Sequence, residues 1–238
     1  VPISAAWRMA LGKGAPKNSR VEGTVELSQS AVDAFNLGLP PGSISGQAMG
    51  AFSVDLAPEK PPVLSLQSDL AGAALSIPSL GWSMGVKTTA DLTLTAQLGE
   101  TAQVDQLSLT APGLSLTGTI STREGGGLDR AQFSAVNVGN WLRGSAELVG
   151  RGEAGPAVHM SSGVLDMRNM PFTGSSGSTG SASSGPVTLK LDRLQVTDSF
   201  ALHGVRGDFS TLGGFSGQFT GALNGQTMIK GQVVPQNG

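Results

Sequence analysis

The chain has no cysteine and no tyrosine, only two histidines, and charged side chains at just 13% of its 238 residues. Without cysteine there is no disulfide framework, no thiolate zinc site and no catalytic thiol, and the redox compartment is left open. No apolar run reaches the length of a membrane-spanning helix. The longest uncharged candidate, Leu70 to Val86, is interrupted by Gly72, Pro78 and Gly81. A net charge of −2 and the lack of any basic stripe interleaved with aromatics argue against nucleic acid as a partner. His159 and His203 stand alone, with no second histidine or aspartate pair nearby, so no metal site is expected. Acids are scattered singly, which leaves no carboxylate pair for acid and base work. No cofactor and no enzymatic activity are expected.

What the sequence does have is alternation. Leu92, Leu94, Ala96 and Leu98 interleave with Asp91, Thr93, Thr95 and Gln97, and Val187, Leu189 and Leu191 interleave with Thr188 and Lys190. Successive side chains of a strand point to opposite faces, so each stretch has one apolar and one wet face. Leu, Ile, Val and Phe make up about 24% of the residues, above the roughly 20% below which chains tend to disorder. Glycine, at 35 residues, is about twice its usual share of roughly 7%. The expectation is an all-β fold: a long, twisted and curved, mainly antiparallel meander forming a gutter-like apolar groove, with one or two short helices.

Strands are predicted at Val21 to Leu27, Gly46 to Leu56, Val63 to Leu70, Ala73 to Ile77, Thr88 to Leu98, Val104 to Ala111 and Leu114 to Thr122. Pro58, Pro61, Pro62, Pro112 and Gly113 punctuate them. A short helix is predicted from Gln29 to Asn36, capped by Ser28 or Ser30 and ended by Gly38, and a second one around Trp141. Residues 1–170 are read as the first part of the groove and 171–186 as a flexible Gly/Ser loop. Residues 187–238 are read as a meander that continues the groove, with strands at Val187 to Leu191, Leu194 to Val196, Phe200 to Phe209, Phe215 to Leu223 and Met228 to Val234. Phe215, Gly217, Phe219, Gly221 and Leu223 share a face there, and the glycines are expected to bend the sheet and leave space. The chain begins at Val1 inside the pattern, without a signal-like segment, as a piece of a longer protein would.

Three motifs invite chemistry. Gly81-Trp82-Ser83-Met84-Gly85 fits the G-x-S-x-G elbow of serine hydrolases, but a strand rather than a helix follows it. Gly150-Arg151-Gly152-Glu153-Ala154-Gly155 fits G-x-G-x-x-G, yet Pro156 and the strand-like Val158 leave no helix to meet a pyrophosphate. Arg8, Lys13, Lys17 and Arg20 form a basic cluster that a solvated loop explains better than anionic headgroups do.

The segment Leu64-Ser-Leu-Gln-Ser-Asp-Leu-Ala-Gly-Ala-Ala-Leu-Ser-Ile-Pro-Ser-Leu-Gly-Trp resembles the AsmA-like superfamily, specifically the YhdP type related to TamB. Four further pieces are similar to it in order along the chain. They are Val21 to Gly46, Leu148-Val-Gly-Arg-Gly, Gly163-Val-Leu-Asp-Met-Arg, and Arg193-Leu-Gln-Val-Thr-Asp-Ser through Gly231 to Gly238. The resemblance implies a large protein of the Gram-negative envelope, anchored in the inner membrane by parts outside this chain. Its long periplasmic β-body is implicated in carrying phospholipid between the two membranes. The Gly/Ser tract departs from a regular repeat, and no residue matches a binding or catalytic signature that can be transferred singly.

Two readings follow. In the first, the apolar strand faces bind phospholipid acyl chains, with Leu92, Leu94, Leu107, Leu109, Leu114, Leu116, Phe215 and Phe219 as the candidate lining. In the second, the same stripes pair across a closed sandwich or solenoid that acts as an envelope spacer or protein-binding module. The sequence leaves the lipid class, the oligomeric state and the partner proteins open.

Overall fold

A computed structural model describes residues 2–9, 18–34, 42–152, 154–171, 185–212 and 214–234. The elements are β1 (Ile3–Met9), β2 (Ser19–Leu27), α1 (Gln29–Ala34), β3 (Ile44–Gly46), β4 (Ala48–Leu56), β5 (Val63–Ser68), β6 (Ala73–Ile77) and β7 (Trp82–Met84). After these come β8 (Asp91–Gln97), β9 (Gln103–Ala111), β10 (Leu114–Thr122), β11 (Leu128–Val138), β12 (Leu142–Arg151) and β13 (Ala154–Asp166). The last four are β14 (Pro186–Gln195), β15 (Ala201–Ser210), β16 (Ser216–Leu223) and β17 (Thr227–Val233). The fold is all-β, as the alternation predicts. Fourteen strands follow one open sheet order, β1-β2-β4-β5-β8-β9-β10-β11-β12-β13-β14-β15-β16-β17, and β3-β6-β7 form a small second sheet. The chain divides into two compact units, Val1–Pro78 with Trp82–Asp129 and Ser79–Gly81 with Arg130–Gly238.

In the first unit every strand pair within the large sheet is antiparallel. The predicted strand from Gly46 to Leu56 is divided at Gln47, between β3 in the small sheet and β4 in the large one. The break sits where Gly46 takes φ +77 and the Gln47 amide turns to the Gly72 carbonyl. β5 ends before Leu70 because Ser68 and Asp69 side chains accept from the Leu70 and Ala71 amides, a local turn that competes with the ladder. Helix α1 starts where predicted and packs against β2; residues 35–41, which include the predicted stop at Gly38, lie outside the described residues.

In the second unit the pairs are antiparallel except β13 with β14, which run parallel. A parallel pair needs a crossover of a dozen or more residues, and positions 167–185, with the Gly/Ser tract, supply it; 172–184 of these lie outside the described residues. The helix expected around Trp141 is not formed. Its amide bonds the Val138 carbonyl at 3.2 Å, and Gly139 takes φ +52, so the segment is the tight turn between β11 and β12. One turn of chain with a buried tryptophan has the same local pattern in either structure.

Gly207, Gly217 and Gly231, in β15–β17, do not leave the space expected of glycines there. Gly207 faces Phe219, Phe209 faces Gly217, and Phe219 faces Gly231. A Cβ at Gly207 would lie 2.5 Å from the Phe209 ring and one at Gly217 2.6 Å from that ring, and one at Gly231 would run into the Phe219 ring. Phenyl rings lie over the bare backbone, and Phe215 stacks on Phe209 with centroids 4.9 Å apart.

Candidate functional site

The register of the first unit lines its apolar residues up across the strands, because directly paired residues share a face. One row runs Val21, Val54, Leu64, Ala96, Val104 and Ile120, and the next Gly23, Phe52, Leu66, Leu94, Leu107 and Gly118. A third joins Ser68, Leu92, Leu109 and Leu116. Edge strand β1 extends the first two rows with Trp7 and Ala5. The other face carries Arg20, Glu22, Ser53 and Asp55, then Ser65, Gln67, Thr93, Thr95 and Ser108. There Arg20 donates to Glu22 at 2.8 Å, Asp55 at 3.2 Å and Ser53 at 3.1 Å.

Among the described residues, the apolar face is sealed at one end. Val25, Ala31, Ala48, Leu70, Ala73, Trp82, Met84, Ala90 and Leu114 are all buried. They come from α1, from the small sheet and from the strand ends and loops beside it. The Trp82 indole fastens this cap by donating to the Pro112 carbonyl at 2.9 Å. Away from the cap, Leu64, Leu66, Leu92, Leu94, Leu107, Leu109 and Leu116 are only half-buried. A second packed layer would take such side chains out of water almost completely. Among the described residues, the leucines of this face are therefore left only partly covered away from the cap.

Five of the eight predicted lining residues, Leu92, Leu94, Leu107, Leu109 and Leu116, thus come together on this face. Leu114 shares it but is 2% exposed beside the cap, where it offers no surface. Phe219 and Phe215 belong to the second unit; Phe219 covers Gly231, and Phe215 is 47% exposed against Phe209. Not singled out from the sequence were Phe52, Val54, Leu64, Leu66, Val104 and Ile120, although their alternation is visible there. The missing information was register, which only strand pairing supplies.

The chemical motifs resolve into structure. Ser83 lies mid-strand in β7, opposite Ser76 and between buried Trp82 and Met84, not on a turn into a helix. Gly150 to Gly155 spans the end of β12, a turn with Gly152 at φ +73, and the start of β13; Glu153 is outside the described residues. No group of three or more His, Asp or Glu side chains among the described residues is placed to hold a metal ion. Of the N-terminal basic cluster, Arg8 pairs with Glu22 at 3.5 Å and Arg20 with Glu22 and Asp55; Lys13 and Lys17 lie outside the described residues.

Two acids are held below their usual range. Hydrogen bonds from the Gln132 amide and then the Arg130 guanidinium lower Glu147. Asp166 falls to about 2, chiefly through the Arg168 guanidinium, which also bonds Asp198 at 2.6 Å. Asp166 accepts from the Arg168 amide as well, at 3.1 Å, and so starts the short 3-10 turn Met167–Asn169. The Arg168–Asp198 pair thus links the turn after β13 to the β14–β15 turn.

Comparison with protein-family models, with curated proteins and with solved structures finds no match to this chain. No candidate residue inherits a role from a relative.

Proposed function

We propose that the chain is a non-enzymatic, lipid-binding section of a periplasmic bridge-like protein that carries phospholipid between the inner and outer membranes. The observation that carries this reading is the row structure of the first unit: seven leucines on one face, each half-buried and none taken fully out of water by the described residues. An acyl chain laid on them contributes about 0.8 kcal/mol for each methylene it buries, without any directed contact. The face holds no charged side chain in these rows, so it sets no preference for headgroup. The resemblance to the AsmA-like superfamily supplies the envelope setting and the phospholipid, and is a separate line of support.

The contrasting reading, a closed spacer or protein-binding module, requires the leucines to be covered. Their exposure favours the open reading. Mass spectrometry of lipid co-purifying with the chain tests it, with Leu94→Asp and Leu109→Asp as variants. Phospholipid on the wild type and at least a tenfold loss in variants of unchanged circular dichroism are the expected result. A lipid-free wild type at every stage of purification, or variants loaded like wild type, contradicts it.

A further inference from the structure

Residues 130–238 hold eight Lys or Arg against six Asp or Glu, whereas residues 1–129 hold seven against eleven. Strand register gathers that excess on the polar face of the second unit, the side opposite its apolar rows. Lys190 is the direct neighbour of Arg206, Arg206 faces Thr220, and Thr220 faces Lys230. The adjacent row runs Arg143, Val164, Arg193, His203, Ala222 and Met228. The two rows stay on one face because bulges absorb one residue each in β13 and β15.

All five Lys and Arg side chains in these rows are exposed. Arg193 bonds the neutral Gln195 side chain, and the other four have no hydrogen-bond or ion-pair partner among the described residues. The two acids nearby are engaged, Asp192 by the Gly163 amide and Asp208 by the Thr188 hydroxyl, each at 3.0 Å. Elsewhere the sheet matches opposite charges, as Arg20 with Asp55 and Arg130 with Glu147 show. Setting Lys190 directly against Arg206 costs stability. Among these cations Met228 is 70% exposed and Val164 41% exposed, apolar tips on an otherwise wet face.

We propose that this outer face seats the second unit on the headgroup layer of an anionic bilayer. Phosphates neutralise Arg143, Lys190, Arg193, Arg206 and Lys230, while Met228 and Val164 enter the interface. Five cations fall within the range of polybasic surfaces that bind anionic lipid. They are spread over β12, β14, β15 and β17 rather than lining a groove, which suits mobile headgroups that need no fixed register. The surface is separate from the leucine rows, so membrane docking and acyl-chain loading are independently removable.

The test is co-sedimentation of the whole chain with phosphatidylglycerol-containing vesicles and with pure phosphatidylcholine vesicles, at low and high salt. Binding is expected only to the anionic vesicles and is expected to fall with salt. Lys190→Gln with Arg206→Gln should weaken it roughly twenty-fivefold, taking about fivefold per cation. Lys60→Gln with Lys87→Gln, an equal charge change in the first unit, should leave it within twofold. Equal binding to both vesicle types, a loss in the control as large as in the test variant, or tighter binding to soluble polyglutamate than to vesicles overturns the proposal, the last in favour of an acidic protein partner. Should the double variant fail to fold, Lys230→Gln and Met228→Ser on edge strand β17 are read instead, and wild-type binding by both overturns it. Co-purified lipid, measured in parallel, is expected to be unchanged in these variants, so failure of docking and failure of acyl-chain binding are told apart.

Discussion

Single residues decide how far the β-sheet can pack without a second layer. On β15–β17 phenyl rings lie on glycine backbone, so these glycines are filled positions and not gaps. Gly231→Val would push a side chain into the Phe219 ring and is expected to destabilise the second unit by about 1–3 kcal/mol. Combining it with Phe219→Ala should cost less than the two changes summed, because the clash is then removed. Chemical denaturation of the four proteins in this cycle measures the coupling, and strict additivity would contradict the ring-over-glycine contact. Asp166 gives a second expectation. Its pKa is lower folded, about 2, than the ordinary carboxylate value of 3.8, so its contribution is complete above about pH 4 and lost as pH falls toward 2. A melting-temperature series should show Asp166→Asn less sensitive than wild type in that window, and identical acid limbs would remove Asp166 from the account.

Strands were legible where large apolar residues alternate with small polar ones. Predicted Ala73 to Ile77 and Leu114 to Thr122 coincide with β6 and β10, and the limits of β9 and β15–β17 fall within a residue or two of the pattern. The two strands predicted at Val187 to Leu191 and Leu194 to Val196 are instead one strand, β14, because Asp192 and Arg193 continue the ladder rather than turning. β1, β7 and β11 to β13 were not delimited, because alanine, glycine and serine dilute the alternation there. Bulges at Ser134–Ala135 and Ser161–Ser162 also shift its phase within β11 and β13. Parallel pairing of β13 with β14 was invisible, since alternation reports a strand's two faces and not its neighbour. The basic face escaped for a similar reason: Arg143, Lys190, Arg206 and Lys230 are far apart in sequence and meet only through register. The crossover between β13 and β14 has a length consequence. Chain leaving Asp166 must return to Pro186, beside the level of Ala157, a span of about nine extended residues or 30 Å. Deleting residues 176–181 leaves enough chain and should change the melting temperature by no more than about 2 °C, since closure entropy varies slowly with length. A loss of cooperative unfolding would show that these residues do more than connect.

At the scale of the whole molecule, each unit repeats one arrangement: apolar rows on one side of the sheet and polar rows on the other. In the first unit the apolar rows are capped at one end by α1 and the small sheet, and beyond it the described residues leave the leucines half-buried. In the second they are partly filled by their own phenylalanines, so the candidate acyl-chain surface is richer in the first unit. Charge is divided as well, with acids in excess before Arg130 and cations in excess after it. Under the proposed function, these rows act by binding along their surface. The central claim is that the half-exposed leucines hold lipid. The most direct measurement is native mass spectrometry of the purified chain beside Leu94→Asp. The account predicts phospholipid bound to the wild type and at least tenfold less on a variant that melts cooperatively; equal loading of the two, or a wild type that never carries lipid, would contradict it.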